Sequence, residues 1–138
     1  PRALTVSTVM KPPAYRLTAE TIGGALEEMR RIPANYAYYM TDDGFQGVVC
    51  EKALENAAQS DEEGLMEEFK VEDMSSLSPD APLESIIPAT MKSKFPLPVV
   101  DDDGDLQGVL SREDLAEVLS GFNRVETDGE TQIENNDK

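Results

Sequence analysis

One stretch of this chain is written twice. Tyr39-Met40-Thr41-Asp42-Asp43-Gly44-Phe45-Gln46-Gly47-Val48-Val49 returns as Val99-Val100-Asp101-Asp102-Asp103-Gly104-Asp105-Leu106-Gln107-Gly108-Val109-Leu110. Each copy reads as a buried strand, an acidic turn closed by Gly, and a second strand opening on Gln-Gly. Gly tolerates the positive φ of a tight hairpin, and the flanking apolar runs have the length of short strands. A unit repeated once predicts two alike modules packed against each other, with a cleft between them as the natural place for function.

The segments around the two hairpins extend the repeat. Ile22, Ala25, Leu26 and Met29 recur at helical spacing and Pro33 ends that helix; Ala53, Leu54, Ala57 and Ala58 mark a helix after the first hairpin. In the second half, Ser78-Pro79-Asp80-Ala81-Pro82 opens a helix carrying Leu83, Ile86 and Ile87, which Pro88 shortens or kinks. Leu115, Val118 and Leu119 give the last helix its apolar face, with Gly121 as its C-cap. The expected organisation is a first unit over 1–58, an acidic linker over 59–70 ending in a short amphipathic turn at Leu65, Met66 and Phe69, a second unit over 71–120, and a disordered acidic tail over 121–138.

Charge excludes several functions. With 28 acidic and 12 basic residues the net charge is −16. Such a surface repels phosphate backbones and anionic headgroups, so nucleic acid is excluded as a partner and direct lipid binding fits poorly. There is no His, and the single cysteine, Cys50, rules out an internal disulfide and suits a reducing compartment. No apolar run approaches the roughly 20 residues of a membrane span, and no signal peptide is recognisable. The chain starts at Pro1, as expected of a piece of a longer protein. Asp101-Asp102-Asp103-Gly104-Asp105 has the composition of a calcium loop, but lacks the alternation and distal Glu of an EF-hand and reads as a turn, so no metal is expected. No carboxylate pair stands out as acid and base, and no nucleophile has a base partner, so the expectation is a non-enzyme.

One motif carries chemistry. Gly108-Val109-Leu110-Ser111-Arg112-Glu113-Asp114-Leu115 is a strand end followed by Ser-x-x-Asp opening a helix. It accounts for itself as a capping box, in which Ser111 accepts from the amide of Asp114 and Asp114 reaches back to the amide of Ser111. The same geometry also suits a ligand: a helix N-terminus favours phosphate, and a carboxylate there can accept from the vicinal hydroxyls of a ribose.

The phrase Leu97-Pro98-Val99-Val100-Asp101, a Gly turn, then Gln107-Gly108-Val109-Leu110-Ser111-x-x-Asp114-Leu115 resembles the hallmark of CBS domains, and the whole chain resembles a tandem CBS pair. The resemblance implies an α+β fold of two β-α-β-β-α units packed as a pseudo-symmetric pair with a flexible acidic C-terminal tail. It implies adenosine-containing ligands (ATP, AMP or a cyclic dinucleotide) between the units, with no cofactor required. Carried over, Asp114 would hold ribose, Ser111 would help with phosphate, Pro96, Leu97 and Pro98 would line the adenine slot, and Arg112 or Lys94 could reach phosphates. In the first copy Cys50 and Ala53 stand where Ser111 and Asp114 stand in the second, so the first site is expected to be empty or structural.

Phe95-Pro96-Leu97-Pro98-Val99-Val100-Asp101, the aromatic run Asn35-Tyr36-Ala37-Tyr38-Tyr39-Met40 and the acidic C-terminal residues resemble most the C-terminal regulatory region of the ATP-binding subunit of glycine betaine/L-proline ABC transporters. That resemblance implies a cytoplasmic module peripheral to the inner face of the membrane, partnered by the host ATPase domain and the transporter membrane subunit, and homodimeric through CBS pairing. It would sense ionic strength or an adenine nucleotide. The alternatives are a nucleotide sensor or a dimerisation scaffold on a different host.

Overall fold

The structure is a computed structural model that describes residues 4–12 and 15–130, with side chains in the last helix described as far as Gly121. The tail expected from sequence therefore lies outside the described residues from position 131 onward.

The first unit holds β1 (Arg16–Leu17), α2 (Ile22–Met29), β2 (Tyr36–Thr41), β3 (Gly44–Cys50) and α3 (Glu51–Ser60), preceded by a one-turn helix α1 (Val6–Val9). β1 runs parallel to β2, and β2 pairs antiparallel with β3. The helical spacing read from sequence is the buried stripe of α2: Ile22, Ala25, Leu26 and Met29 all face the core. Thr21 starts this helix by accepting from the amide of Gly24 at 3.1 Å. Glu28 ties it to the strand below, its carboxylate accepting from the amides of Thr18 and Ala19 at 2.9 and 3.0 Å.

The second unit holds a 3-10 turn (Leu83–Ile86), α4 (Ile87–Lys92), β4 (Leu97–Val100), β5 (Leu106–Leu110) and α5 (Arg112–Glu130). Its counterpart of β1 shrinks to one parallel bridge, Leu77 with Val99; Pro79 follows at once, and proline cannot extend a ladder. Pro88 does not end the helix. It lies in the first turn of α4, where its missing N–H is no loss. Nor does Gly121 stop α5, which passes through it to Glu130, and Gly121 is not among the glycines of positive φ.

The repeated Gln-Gly has a structural cause in both copies. Gln46 donates from Nε2 to Thr41 Oγ1 at 3.2 Å, and Gln107 donates to Asp101 Oδ2 at 2.7 Å, so each glutamine braces the residue that starts its own turn. The glycine that follows admits a strand from outside the unit. A Cβ on Gly47 would lie 2.7 Å from the carbonyl oxygen of Glu72, and one on Gly108 would lie 2.6 Å from that of Lys11. Val48 and Glu72 exchange two backbone hydrogen bonds, and so do Val109 and Lys11.

The two units therefore trade their leading segments. Val6 is fully buried in the core of the second unit with Leu83, Ile86, Leu97, Val99, Leu110 and Leu115. Met66, in the 3-10 turn Met66–Glu68 of the acidic linker, is 1% exposed in the core of the first unit, with Phe69 and Val71 packed beside it. The linker thus contributes core residues although its surface is acidic.

A third cluster joins the units: Tyr38, Met40 and Val48 against Leu106, flanked by Tyr36, Phe45, Phe95, Val100 and Val109. Tyr38 donates its hydroxyl to the carbonyl of Pro96, and Arg16 donates to the carbonyl of Leu106 at 3.0 Å. The turns meet as well. Gly44 and Gly104 have φ of 103° and 88°, and the amide of Phe45 donates to the carbonyl of Gly104 at 2.9 Å.

Candidate functional site

Ser111 immediately precedes α5, and its hydroxyl accepts from the amide of Asp114 at 3.0 Å, the capping bond expected from the sequence. The return bond from the Asp114 carboxylate to the amide of Ser111 is absent among the described residues. Asp114 Oδ1 instead lies 4.0 Å from Lys11 Nζ. Lys11 belongs to the crossing segment of the amino-terminal half, and its backbone is fixed by the two bonds to Val109. The side chain of Asp114 keeps 22% of its surface exposed, so a carboxylate edge stays accessible.

The start of α5 stands where the units join. Val109, two residues before Ser111, packs against the cluster between them, as does Tyr36. Burial raises the pKa of the Tyr36 hydroxyl, Tyr15 adds to the rise, and the carboxylate of Glu113 pushes the same way. Tyr36 meets Tyr15 edge-on at 5.6 Å between ring centroids and lies tilted over Phe95 at 4.9 Å. The start of α5 thus gathers a hydroxyl, a carboxylate and an ammonium, while the rings of Tyr15, Tyr36 and Phe95 pack on one another in and beside the cluster that joins the units.

Of the remaining predicted site residues, Arg112 stays beside Ser111, and the others lie along or just before β4. Arg112 is exposed on the first turn of α5. Leu97 is 3% exposed, belongs to the core of the second unit and lines a cavity with Lys94 and Phe95. Pro98 is buried in β4 opposite Val109. Pro96 gives its carbonyl to Tyr38. Lys94 is carried to the opposite half, where its ammonium lies 5.7 Å from the Phe95 ring and helps line a cavity of about 500 Å³ with Asn35, Cys50, Glu51, Lys52 and Phe95.

That cavity marks the place in the first unit equivalent to the start of α5. Cys50 precedes α3 as Ser111 precedes α5, but makes no side-chain cap. Burial pushes the Cys50 thiol up, Glu72 adds to the rise, and Lys94 opposes it, so the sulfur stays protonated at neutral pH. Glu72 holds here the crossing position that Lys11 holds in the other half. A further cavity of about 510 Å³ beside the first turn is lined by Glu20, Asp42, Asp43 and Glu67 together with Thr18 and Tyr39. Four carboxylates make it hostile to any anion. Asp101, Asp103 and Asp105 gather their carboxylates, but Asp101 already accepts from the amides of Asp103 and Asp105 and from Gln107, the economy of a turn.

Lys11 was invisible to motif reading because the Ser-x-x-Asp phrase ends a hundred residues away. The available signal was the repeat itself: Met10-Lys11 lies in the leading segment of the first unit as Val71-Glu72 lies in that of the second.

Residues 67–121 match the CBS domain family. A comparison with curated proteins by sequence finds no match. Among solved structures, the chain is similar to the CBS-pair protein CBSX2 from Arabidopsis thaliana, with a TM-score of 0.69 and 21% identity over 89% of this chain and 99% of that one. It is similar to Staphylococcus aureus OpuCA, with a TM-score of 0.65 and 20% identity over 83% and 97%. It is also similar to CbpB in complex with c-di-AMP, with a TM-score of 0.73 and 13% identity over 91% of each chain. Among the described residues no helix is long and apolar enough to cross a membrane. The match to the CBS domain family thus lies in the second half of the chain, and the described residues have the α+β fold of a CBS pair.

Proposed function

We propose that this chain is a regulatory CBS pair that binds an adenosine-containing ligand at the start of α5, and that it serves as the control module of an osmoprotectant ABC transporter ATP-binding subunit for glycine betaine or L-proline. The observation that carries the ligand reading is the meeting of Ser111, Asp114 and Lys11 at the start of α5, where the crossing segment of the amino-terminal half pairs with the second unit. The hydroxyl and helix N-terminus suit a phosphate, and the carboxylate suits a ribose. The likeness to CbpB, solved with c-di-AMP, supports the ligand class. Calorimetry on the chain with ATP, AMP and c-di-AMP tests it. Heat with one of them, lost in Asp114→Ala, is the expected result; no heat with any of them ends the reading.

A second reading concerns ionic strength, and the meeting of the two acidic turns favours it. Asp42-Asp43-Gly44 and Asp102-Asp103-Gly104 are pressed together by the Phe45–Gly104 hydrogen bond on a molecule of net charge −16. Repulsion across this seam weakens as salt shortens a screening length of about 8 Å at physiological strength, so the closed pairing of the units gains with salt. In this reading the module acts without catalysis of its own, as a homodimer joined to the host ATPase and the membrane subunit at the inner face of the membrane. A phosphate-binding loop of the form Gly-x-x-x-x-Gly-Lys-Ser/Thr in the residues before Pro1 is the expected mark of that host, and a different domain there discards it.

A further inference from the structure

The crossing segments place opposite charges at equivalent positions. Lys11 pairs with Val109 behind the start of α5, and Glu72 pairs with Val48 behind the start of α3. The first turn of α5 carries Glu113 and Asp114, two carboxylates close to where a phosphate would sit. A helix N-terminus amounts to roughly half a positive charge, too little to offset both. Arg112 in that turn and Lys11 behind it are the cations at hand, and the one placed against the Asp114 carboxylate is Lys11. Its backbone is fixed by two hydrogen bonds, its side chain is 57% exposed and free to swing, and its ammonium lies 4.0 Å from Asp114 Oδ1.

We infer that Lys11 is a specificity-determining residue of this site, selecting phosphorylated adenosine compounds against the bare nucleoside. The inference rests on the ligand reading above. Without ligand, the ammonium attends the carboxylate of Asp114. A ribose that donates both hydroxyls to Asp114 takes over that carboxylate and leaves Lys11 without its counter-charge. A nucleoside offers nothing in exchange, whereas a nucleotide brings a phosphate that accepts from the ammonium. The ion pair therefore opposes nucleoside binding and turns into a phosphate contact when a nucleotide binds. The other half has no such device, because Glu72 at the matching position repels phosphate and Ala53 has no group for ribose.

The test is calorimetric titration of the intact chain with adenosine and with AMP, comparing wild type, Lys11→Met and Lys11→Arg, with thermal melts confirming the fold of each. The wild type is expected to prefer AMP. Lys11→Met should shrink the AMP-to-adenosine affinity ratio at least tenfold, by weakening AMP while leaving adenosine equal or tighter, and Lys11→Arg should restore it. The AMP affinity of Lys11→Met should also lose much of its salt dependence. An unchanged ratio in Lys11→Met, with binding still dependent on Asp114, overturns the role of Lys11 alone. Equal loss of both ligands makes Lys11 a structural residue and overturns it too. A wild type that binds neither compound, nor ATP or c-di-AMP, removes the site itself and the inference with it.

Discussion

The starts of α3 and α5 are the same place built twice, and they differ in every group that could hold a ligand. At α5 a serine caps the helix, an aspartate follows one turn in, and a lysine crosses behind. At α3 a cysteine stands uncapped, an alanine follows, and a glutamate crosses behind. The shared parts are those that fold: the turn glycines, the bracing glutamines, the Gln-Gly glycines and the β-bulge, which falls between Tyr39 and Met40 in one hairpin and between Val99 and Val100 in the other. The repeat keeps the architecture of both halves and leaves the serine, the aspartate and the crossing lysine in one.

The strongest way to break the comparison is to block the exchange of segments that both halves share. Gly47→Ala and Gly108→Ala each drive a Cβ to within 2.7 Å of a crossing carbonyl. Each should cost about 2–4 kcal/mol in denaturant unfolding. A small loss at either position would mean the crossing strand is not what the glycine admits.

The helix caps sharpen the contrast by exchanging it. Ser111→Ala should destabilise by about 1 kcal/mol through loss of the cap to Asp114, whereas Cys50→Ser should stabilise by about 0.5–1 kcal/mol by creating the missing cap on α3. Urea midpoints read both, and effects of the same sign would show that the two starts are not equivalent positions.

Tyr38 probes the seam between the units. Burial, with Tyr36 adding to it, raises the pKa of its hydroxyl above that of a free phenol, and the same hydroxyl bonds Pro96. A raised folded-state pKa means its stabilising contribution is complete below the unfolded value near 10 and is lost as pH climbs beyond it. Tyr38→Phe should cost about 1 kcal/mol at neutral pH and flatten the alkaline fall of the melting temperature. An alkaline limb as steep as that of the wild type contradicts this placement of the hydroxyl.

The smallest expected effect is electrostatic. Replacing Asp42, Asp43, Asp102 and Asp103 by Asn should reduce the rise of melting temperature with salt more than replacing Glu62, Glu63, Glu67 and Glu68 by Gln. Equal reductions would assign the salt response to total charge and remove the turns from it.

Much of this was legible in the sequence, for reasons that lie in particular residues. The stripe Ile22, Ala25, Leu26 and Met29 and the alternation around Asp-Asp-Gly are local, so periodicity found α2 and the hairpins. Ser111 and Asp114 are three residues apart, so their shared helical turn was readable too. The linker misled because Glu62, Glu63, Glu67 and Glu68 dominate its composition, while Met66 and Phe69 among them fill a core that only the fold reveals. Leu97 is named only through the family resemblance; its place in the core of the second unit is not readable locally, because inward and outward faces cannot be told apart in a run of consecutive apolar residues. Lys11 was out of reach because its partner, Asp114, comes to it through a crossing strand rather than along the chain.

The central claim is that one half of this pair is equipped for an adenosine-containing ligand and the other is not. The most direct measurement is the stoichiometry of AMP or ATP bound per chain at saturation, for wild type and Asp114→Ala. The account predicts one ligand per chain in the wild type and none in the variant. Two per chain, or one that survives the loss of the Asp114 carboxylate, would contradict it.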